Sequence, residues 1–432
     1  MNTGKTRKPL KAAALVAGAL ALSGLVGACS ANDGANSDAI VVWDYYGSSS
    51  PVKPALDLFE ESHPDVTIDY QEYDYDTFQN KLAVAVSSGA APDLATIDMV
   101  WTPVYAAQGV LSDISEISQG ELNGEPIESQ YSKGALEAME YDGRTIVLPY
   151  DFDAYALYYR KDILEQKGLD VPTTHEELLN VVEEMSEDTD GDGKVDKYAF
   201  QLRPDTFEFS QFLFQEGGSL VTEDGTKSAF ASPEGVDALE YMGRLMDAGS
   251  VYWGPDEGDS GGLAGIADER IGMFLNGPYM MGILKDGVPE QSGKWAVADA
   301  PFSKEPGSYL GGTGLVIPTG AKNPAGGWEL AQFLLQPAQQ ELVYTKAGAA
   351  PATLEALELP ALTQADPFFD GQVPFPVFEK ALESAQPFPY VAGWSDIDQA
   401  ITDGVVETLV QGTSPEVSLR KAAATADEAL QK

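Results

Sequence analysis

Cysteine, histidine and basic residues are scarce in this 432-residue chain, and these shortages argue against particular bonds, partners and activities. A single cysteine excludes an intrachain disulfide, so packing and hydrogen bonds alone must hold the fold. Lysine and arginine total 26 against 68 aspartates and glutamates, which gives a net charge of −42. Because nucleic acids and anionic membrane surfaces are polyanions, this balance argues against both as binding partners.

The segment before Cys29 has the features of a secretory signal. The first eleven residues include four basic residues and no acidic one, and an apolar run from Ala12 to Val26 follows. A basic region, an apolar region of about 15 residues and small residues at a cleavage point are typical of a signal peptide. A transmembrane helix needs roughly 20 apolar residues. The sequence therefore favours export over a membrane span.

The stretch VGAC that ends at Cys29 resembles the bacterial lipoprotein box, in which the cysteine is lipidated and becomes the mature N-terminus. This resemblance implies a signal peptide over 1–28 and a lipid on Cys29, and the alternative is an ordinary signal with an incidental cysteine. Residues 29–37 are mostly small and polar, which predicts a flexible tether. We expect the protein to be anchored on the extracellular face of the cell membrane.

The rest of the chain alternates between strand and helix patterns. Ala39–Trp43, the alternation around Ile68 and the stretch APDLATID predict strands, while Lys53–Ser62 and Thr77–Ser88 carry apolar residues at helical spacing. This order is typical of a parallel sheet covered by helices, and the later chain repeats the logic. Later predicted helices cover Glu176–Met185, Gly235–Ala248, Ala325–Leu335 and Ser414–Gln431. Since single cores stop growing near ~250–300 residues, two α/β lobes are expected.

Five stretches, in order, are similar to the extracellular solute-binding proteins (family 1, carbohydrate-binding branch) of bacterial ABC importers. They are LFEESHPDVTIDYQEYDYDTFQNKL, SSGAAPDLATID, GRTIVLPYDFDAYALYYRKDIL, IGMFLNGPYMMG and GGTGLVIPTGAKNPAGGWELAQFLL. The resemblance implies a two-lobed, type II periplasmic-binding-protein-like α/β fold with a ligand cleft between the lobes. It places three hinge crossings near Pro149–Asp151, Tyr309–Gly312 and Gly348–Pro351. Lobe 1 would hold 38–149 plus 312–349, and lobe 2 would hold 150–311 plus 350–432.

Aromatic and polar residues in predicted loops are candidates for a sugar site. Aromatic rings can cover the C–H faces of a sugar, and carboxylates, amides and backbone groups can bond its hydroxyls. A tryptophan or tyrosine is more often an ordinary core residue than a ligand contact, but the family resemblance favours ligand contact for three of them. For Asn276 the alternative is a local role in a turn. The predicted ligand-binding residues are Tyr46, Ser48, Asp98, Trp101, Asp151, Glu208, Gln211, Trp253, Asn276, Tyr279, Gly312 and Trp394. The three with family support are Trp101, Tyr279 and Trp394.

The stretch DTDGDGKVDKYAF has the spacing of an EF-hand-like calcium loop. Carboxylates occupy positions 1, 3, 5 and 9, glycine occupies position 6, and Lys194 at position 7 would offer its backbone carbonyl. Position 12, where a bidentate glutamate belongs, is Ala199. A structural calcium ion and a plain Asp/Gly turn both stay open. The predicted ligands are Asp188, Asp190, Asp192, Lys194 and Asp196.

The stretch GDSGG, residues 258–262, matches the nucleophile segment of trypsin-like proteases. That mechanism needs a base histidine and an orienting acid, and the two histidines, His63 and His175, lie beside a proline and at a polar helix start. We therefore interpret GDSGG as a loop.

The main hypothesis for function is a receptor that captures an oligosaccharide by hinge closure and delivers it to an ABC permease. It would be a monomer without catalytic residues, and it would need no cofactor beyond the calcium already considered. A secreted glycosidase is the alternative, because so many acids make a catalytic carboxylate pair hard to exclude. A further alternative keeps the fold and changes the ligand to a non-sugar solute such as a polyamine.

Overall fold

The structure, a computed structural model, describes residues 39–46, 50–252, 262–389 and 391–431. Several predictions made from the sequence lie outside these residues. They are the signal peptide, the tether, lipidation at Cys29, the site residues Ser48 and Trp253, and the GDSGG stretch apart from Gly262.

Strands in the described residues form two five-stranded sheets and several two-stranded pairs. In chain order they are β1 (Ala39–Asp44), β2 (Thr67–Glu72), β3 (Leu94–Asp98), β4 (Glu121–Leu122), β5 (Glu125–Pro126), β6 (Glu140–Tyr141), β7 (Arg144–Thr145), β8 (Leu148–Pro149), β9 (Asp151–Phe152), β10 (Ala156–Arg160), β11 (Tyr198–Leu202), β12 (Val251–Tyr252), β13 (Ile271–Asn276), β14 (Trp295–Ala298), β15 (Ser308–Leu310), β16 (Thr313–Val316), β17 (Ala350–Pro351) and β18 (Ala385–Pro387).

Helices surround both sheets. They are α1 (Lys53–Ser62), α2 (Tyr75–Ser88), α3 (Thr102–Ala107), α4 (Ile114–Ser118), α5 (Lys133–Met139), α6 (Lys161–Lys167), α7 (His175–Met185), α8 (Thr206–Gln215), α9 (Pro233–Asp247), α10 (Leu263–Ala267), α11 (Met280–Gly287), α12 (Pro324–Leu334), α13 (Pro337–Ala347), α14 (Phe375–Glu383), α15 (Trp394–Leu409) and α16 (Pro415–Ala429). Short 3-10 helices cover Met99–Trp101, Ile127–Ser129, Pro289–Gln291, Ala356–Glu358, Pro360–Thr363 and Pro367–Phe369.

Local sequence chemistry fixes the helix ends. Thr174 and Glu177 form a reciprocal capping box at the start of α7. Asp74 caps α2 by accepting from the N–H of Thr77, and Gly89 ends that helix in the left-handed region at φ 74°. The helices predicted from apolar spacing are confirmed, and α1 has the predicted bounds.

The first sheet has the order β2–β1–β3–β16–β8. The parallel pattern predicted for its first three strands is confirmed, because β1 pairs in parallel with both β2 and β3. The expected continuation of that pattern is wrong, since β16 runs antiparallel to β3 and β8. The register explains why: Thr313, the first residue of β16, pairs with Asp98, the last residue of β3. The chain re-enters the sheet at the carboxyl end of β3 and must run back along it.

The second sheet has the order β12–β11–β13–β10–β14 and is also mixed. β11 pairs in parallel with β12 and β13, whereas β10 is antiparallel to β13 and β14. Helices α8, α9, α15 and α16 pack together beside this sheet. No helix in the described part of the chain is long and apolar enough to span a membrane.

The segments predicted as hinge crossings bond to one another. β9 pairs antiparallel with β17, and Asp153 forms a backbone bridge with Gly311. The backbone N–H of Tyr150 also donates to the carbonyl of Thr313 at 2.8 Å. All three segments therefore lie side by side, and the lobe boundaries drawn from the resemblance stay a prediction.

Candidate functional site

A group of hydroxyls and carboxylates meets where β1, β9 and β16 come together. Thr313 Oγ1 shares hydrogen bonds with the Oη atoms of Tyr45, at 3.0 Å, and Tyr46, at 2.6 Å. The backbone N–H of Thr313 donates to Oδ1 of Asp151 at 2.7 Å, and Tyr46 Oη lies 3.5 Å from Oδ2 of the same carboxylate. Tyr46 and Asp151, both predicted site residues, are thus joined through Thr313.

Two carboxylates of this group are buried. Burial raises the pKa of Asp151 to about 7, although the hydrogen bond from Thr313 opposes the rise. Burial, followed by the charges of Asp151 and Asp98, raises the pKa of Asp153 well above its ordinary value. The site therefore favours protonated carboxyls or a bound positive charge.

Asp98 ends β3, Trp101 follows it in the 3-10 helix, and both contact an aromatic cluster. Asp98 caps the 3-10 helix by accepting from the N–H of Val100 at 3.0 Å, and it also accepts from Tyr75 Oη at 2.8 Å. The Trp101 ring lies 4.5 Å from that of Tyr75 and 5.4 Å from that of Tyr45. Trp101 is only 1% exposed, so in this conformation it supports the neighbouring tyrosines from behind.

A second aromatic cluster lies on the other side of the crossings. Tyr309 stacks on Phe388 at 5.0 Å and 9°, and Phe388 stacks on Trp394 at 4.8 Å and 27°. Tyr155 meets the Tyr309 ring edge-on at 4.7 Å. Trp394 begins α15 and is 1% exposed. Its ring is buried against Phe388 in this conformation, and its contact with a ligand stays a prediction.

A cation joins the second cluster. Arg203 pairs with Asp205 at 2.8 Å and donates to Tyr155 Oη at 3.3 Å. Half-buried Asp398 lies nearby, and burial raises its pKa to about 6. This side of the site combines aromatic faces with both donors and acceptors.

Asn276 and Tyr279 stand at the end of β13. Asn276 is buried and its Oδ1 accepts from the N–H of Gly277 at 2.8 Å, which is the local turn role considered as its alternative. A Cβ placed on Gly277 would lie 2.9 Å from the Tyr279 ring and 3.1 Å from Asp153 Oδ1. Tyr279 is therefore close to the buried carboxylates.

Glu208 and Gln211 lie inside α8 and bind backbone groups. Glu208 Oε2 accepts from the N–H of Arg203, and Gln211 Nε2 donates to the carbonyl of Gly307 at 2.8 Å. Both side chains are buried, and burial raises the pKa of Glu208 well above its ordinary value. Each has a structural role in this conformation, and contact with a ligand stays a prediction.

Gly312 has a backbone reason to be glycine. Its φ is 141°, and a Cβ there would lie 2.3 Å from the carbonyl oxygen of Asp151. Its own carbonyl accepts from the N–H of Met99 at 3.0 Å. The residue allows two crossing segments to touch, and its predicted contact with a ligand stays a prediction.

The acidic loop brings three of its predicted ligands together. Oxygens of Asp188, Asp190 and Asp196 all lie within 4.8 Å of one another. Asp192 is not part of that group; its carboxylate accepts from the backbone N–H of Lys194 at 2.8 Å. Ala199 is buried in β11, as its apolar side chain predicts.

His175 has a packing role. Its ring stacks on Tyr241 at 4.0 Å and 9°, and Nε2 shares a 2.8 Å hydrogen bond with Gln215 Oε1. His175, the first residue of α7, therefore packs against α8 and α9.

Sequence reasoning missed several residues of the site. Asp153 stands two residues after Asp151, Tyr45 directly precedes Tyr46 and Thr313 directly follows Gly312, so proximity to a named candidate could have found all three. The others have no local signal, because distant parts of the chain bring them in. They are Tyr75, Tyr155, Arg203, Tyr309 and Phe388.

Curated relatives match two thirds or more of the chain. The lactose-binding protein of Rhizobium radiobacter is 26% identical over 428 residues, which span 96% of each chain. The diacetylchitobiose binding protein DasA of Streptomyces coelicolor is 25% identical over 306 residues, 67% of each.

Solved structures share the fold. The GacH receptor of Streptomyces glaucescens matches with a TM-score of 0.80 at 22% identity, covering 91% of this chain and 98% of that one. An ABC transporter solute binding protein of Thermotoga lettingae matches with a TM-score of 0.79 at 25% identity, covering 91% and 100%. The expected two-lobed, type II periplasmic-binding-protein-like α/β fold is confirmed. The family described as bacterial extracellular solute-binding protein matches residues 55–370, well over half of the chain, and the protein belongs to that family.

Proposed function

We propose that this protein is the receptor of a bacterial ABC importer and that its ligand is an oligosaccharide. Relatives named for lactose, diacetylchitobiose and maltotriose support a sugar ligand. The receptor would be held at the outer face of the membrane by a lipid on Cys29 and would hand its ligand to the permease as a monomer. It would catalyse no reaction.

One observation carries the proposal. Two aromatic clusters, around Trp101 and around Tyr309, flank the crossings where the carboxylates of Asp98 and Asp151 lie. Aromatic faces bury the C–H surface of a sugar, and carboxylates accept hydrogen bonds from its hydroxyls. Sites at the carboxyl ends of strands in α/β sheets commonly bind small ligands in this way.

Capture would work by closure about the crossings. A ligand that contacts both lobes stabilises the closed population, because it binds that state more tightly. Gln79 Nε2 donates to Ser395 Oγ at 2.9 Å, a bond between α2 and α15 that closure would preserve and opening would break. With the predicted boundaries, this bond joins lobe 1 to lobe 2.

The test is calorimetric titration of the anchor-less protein with neutral oligosaccharides, a diamine and phosphate esters. We expect saturable binding of a sugar, a smaller radius of gyration in solution scattering, and an intact ligand in the recovered mixture. Cleaved sugar would support the glycosidase alternative, and binding of the diamine alone would support a non-sugar solute.

Tyr46→Phe gives a matched test of the site. It removes a hydroxyl that bonds Thr313 and lies beside Asp151, so we expect sugar affinity to fall about tenfold, as for one hydrogen bond to a charged group. Tyr73→Phe removes a hydroxyl that donates instead to Gln71 in β2, and it should leave affinity unchanged. Equal affinities for the two variants would place the ligand elsewhere.

A further inference from the structure

Asp153 is a buried carboxylate without a hydrogen-bond donor. It is 8% exposed, and within the described residues no backbone or side-chain group donates to its oxygens and no cation pairs with it. A buried carboxylate normally accepts two or more hydrogen bonds or pairs with a cation, because burying an unpaired charge is costly. Asp153 therefore lacks a partner that its position calls for.

The residues around Asp153 do not compensate for the missing donor or cation. Like charges on Asp151 and Asp98 face it, while the nearby guanidinium of Arg203 is engaged by Asp205. Burial, with the charge of Asp153 among the further causes, raises the pKa of four phenols around it, so they stay neutral and bring no charge that would balance the carboxylate. The phenols are Tyr46, Tyr155, Tyr158 and Tyr309.

Asp153 packs closely against Gly277 and Tyr279. A Cβ on Gly277 would lie 3.1 Å from Oδ1 of Asp153 and 2.9 Å from the Tyr279 ring, so only glycine lets the backbone come this close to the carboxylate. Tyr279, half-buried, borders the same space, and Tyr155 and Tyr309 present their rings nearby. Aromatic rings beside a carboxylate suit an ammonium group carried on a sugar ring, since the faces attract cations and also pack on C–H groups.

We propose that Asp153, with Asp151, receives a protonated amine of the ligand, so that the substrate class is an oligosaccharide containing amino sugars. The inference rests on the proposed function and narrows it. An ammonium group has three donors, and Asp153 offers two oxygens without a donor while Asp151 offers Oδ2, which Tyr46 Oη approaches only to 3.5 Å. A neutral hydroxyl offers a single donor and no positive charge, so it would leave these carboxyls protonated.

Binding of a cation has a proton signature. Without ligand, the raised pKa values keep protons on this pair near neutral pH. An ammonium group favours the ionised carboxylates, so its binding should release protons to the buffer. A neutral sugar, which can accept hydrogen bonds from a protonated carboxyl, should release none.

The experiment compares three trisaccharides that share one backbone: chitotriose, its fully N-acetylated form and cellotriose. Titration calorimetry near pH ~6, in two buffers of different ionisation enthalpy, gives affinity and proton release together. We expect chitotriose to bind at least tenfold more tightly than cellotriose, with net proton release. Asp153→Asn should abolish that preference and the release, and it should fold, because the amide replaces the carboxyl without removing a protein hydrogen bond. Asp224→Asn, an exposed turn residue, is the matched control and should behave as wild type.

The outcomes separate this inference from the proposed function. Equal binding of the three sugars, or tighter binding of an uncharged one, would overturn the amine preference and leave the sugar receptor standing. An unchanged preference in Asp153→Asn would overturn the role of this residue. Binding of a simple diamine with no response to any sugar would overturn both.

Discussion

The backbone N–H of Thr313 donates a 2.7 Å hydrogen bond to Oδ1 of Asp151, and this bond ties the first crossing to the start of β16. The same carboxylate is 1% exposed and lies close to two further acids, Asp98 and Asp153. A single residue thus holds the crossings together and contributes charge to the candidate site.

Asp151 should make stability depend on pH. Burial raises its pKa to about 7 from an ordinary value of 3.8, so between these values the folded protein holds a proton that the unfolded chain has lost. Its contribution to the free energy of unfolding therefore falls as pH rises through that window. Asp151→Asn keeps the acceptor oxygen and removes the charge, so its melting temperature relative to wild type should rise between pH ~4.5 and ~8.

The control for this pH effect is Asp224→Asn. Hydrogen bonds, chiefly from the side chains of Thr222 and Thr226, lower the pKa of Asp224 to about 2, so it carries the same charge across that range in both states. Its melting temperature relative to wild type should stay constant. A constant difference for Asp151→Asn as well would mean that this carboxyl is ionised throughout.

Gly312→Ala should destabilise the crossings. The φ of 141° is strained for alanine, and the new Cβ would overlap the carbonyl of Asp151. We expect the free energy of unfolding in urea to fall by at least about 2 kcal/mol. Gly243→Ala, inside α9 with no atom within 4 Å of the new Cβ, should instead gain about 0.5–1 kcal/mol. A loss of similar size in both variants would contradict the strain argument.

Trp394→Ala should affect both stability and binding. The ring is buried against Phe388, so its removal should cost about 3–5 kcal/mol of unfolding free energy. Because Phe388 supports Tyr309, sugar affinity of the folded fraction should fall at least tenfold. Trp328→Ala, a half-buried position in α12, should lose less stability and keep its affinity. Unchanged affinity in Trp394→Ala would separate this stack from the ligand.

Calcium should stabilise the loop that carries Asp188, Asp190 and Asp196. Three carboxylates within 4.8 Å repel one another, and a bound cation removes that repulsion. Millimolar calcium should raise the melting temperature by scanning calorimetry, and a chelator should lower it. Asp190→Asn should abolish the response, while Asp224→Asn should keep it. No response in the wild type would favour the plain Asp/Gly turn.

Cys29→Ala should release the protein from the cell. The resemblance to the lipoprotein box predicts a lipid on this residue, so fractionation should find the wild type with membranes and the variant in the medium. Ser30→Ala, next in the sequence, should stay with membranes. A variant retained on membranes would contradict the anchor.

The spacing of apolar residues predicted the helices well, because a helix depends mainly on residues that are close together in the sequence. The apolar spacing in Lys53–Ser62 and Glu176–Met185 gave helices whose bounds lie within one residue of α1 and α7. The direction of β16 was predicted wrongly, since pairing direction depends on where a crossing returns the chain. No window of sequence contains that information.

Burial around the site could not be predicted for the same reason. Trp394 has the sequence surroundings of a loop residue, yet Phe388 and the start of α15 enclose it. Asp153 stands two residues after the predicted site residue Asp151, but its burial beside Asp98 and Tyr309, far away in the chain, could not be predicted. Side-chain types could be named in advance, whereas their neighbours depend on tertiary packing.

The position of β16 has a consequence for how the chain acquires its structure. It lies between β3 and β8, so until residues 313–316 exist the first sheet is split and β8 has no neighbour in it. Contacts between such distant residues form slowly, because a long loop must close first. The N-terminal half therefore stays incomplete during most of synthesis, when a chain grows at about 5–20 residues per second. A nascent chain released before this strand is made should be degraded by proteases that spare the finished protein.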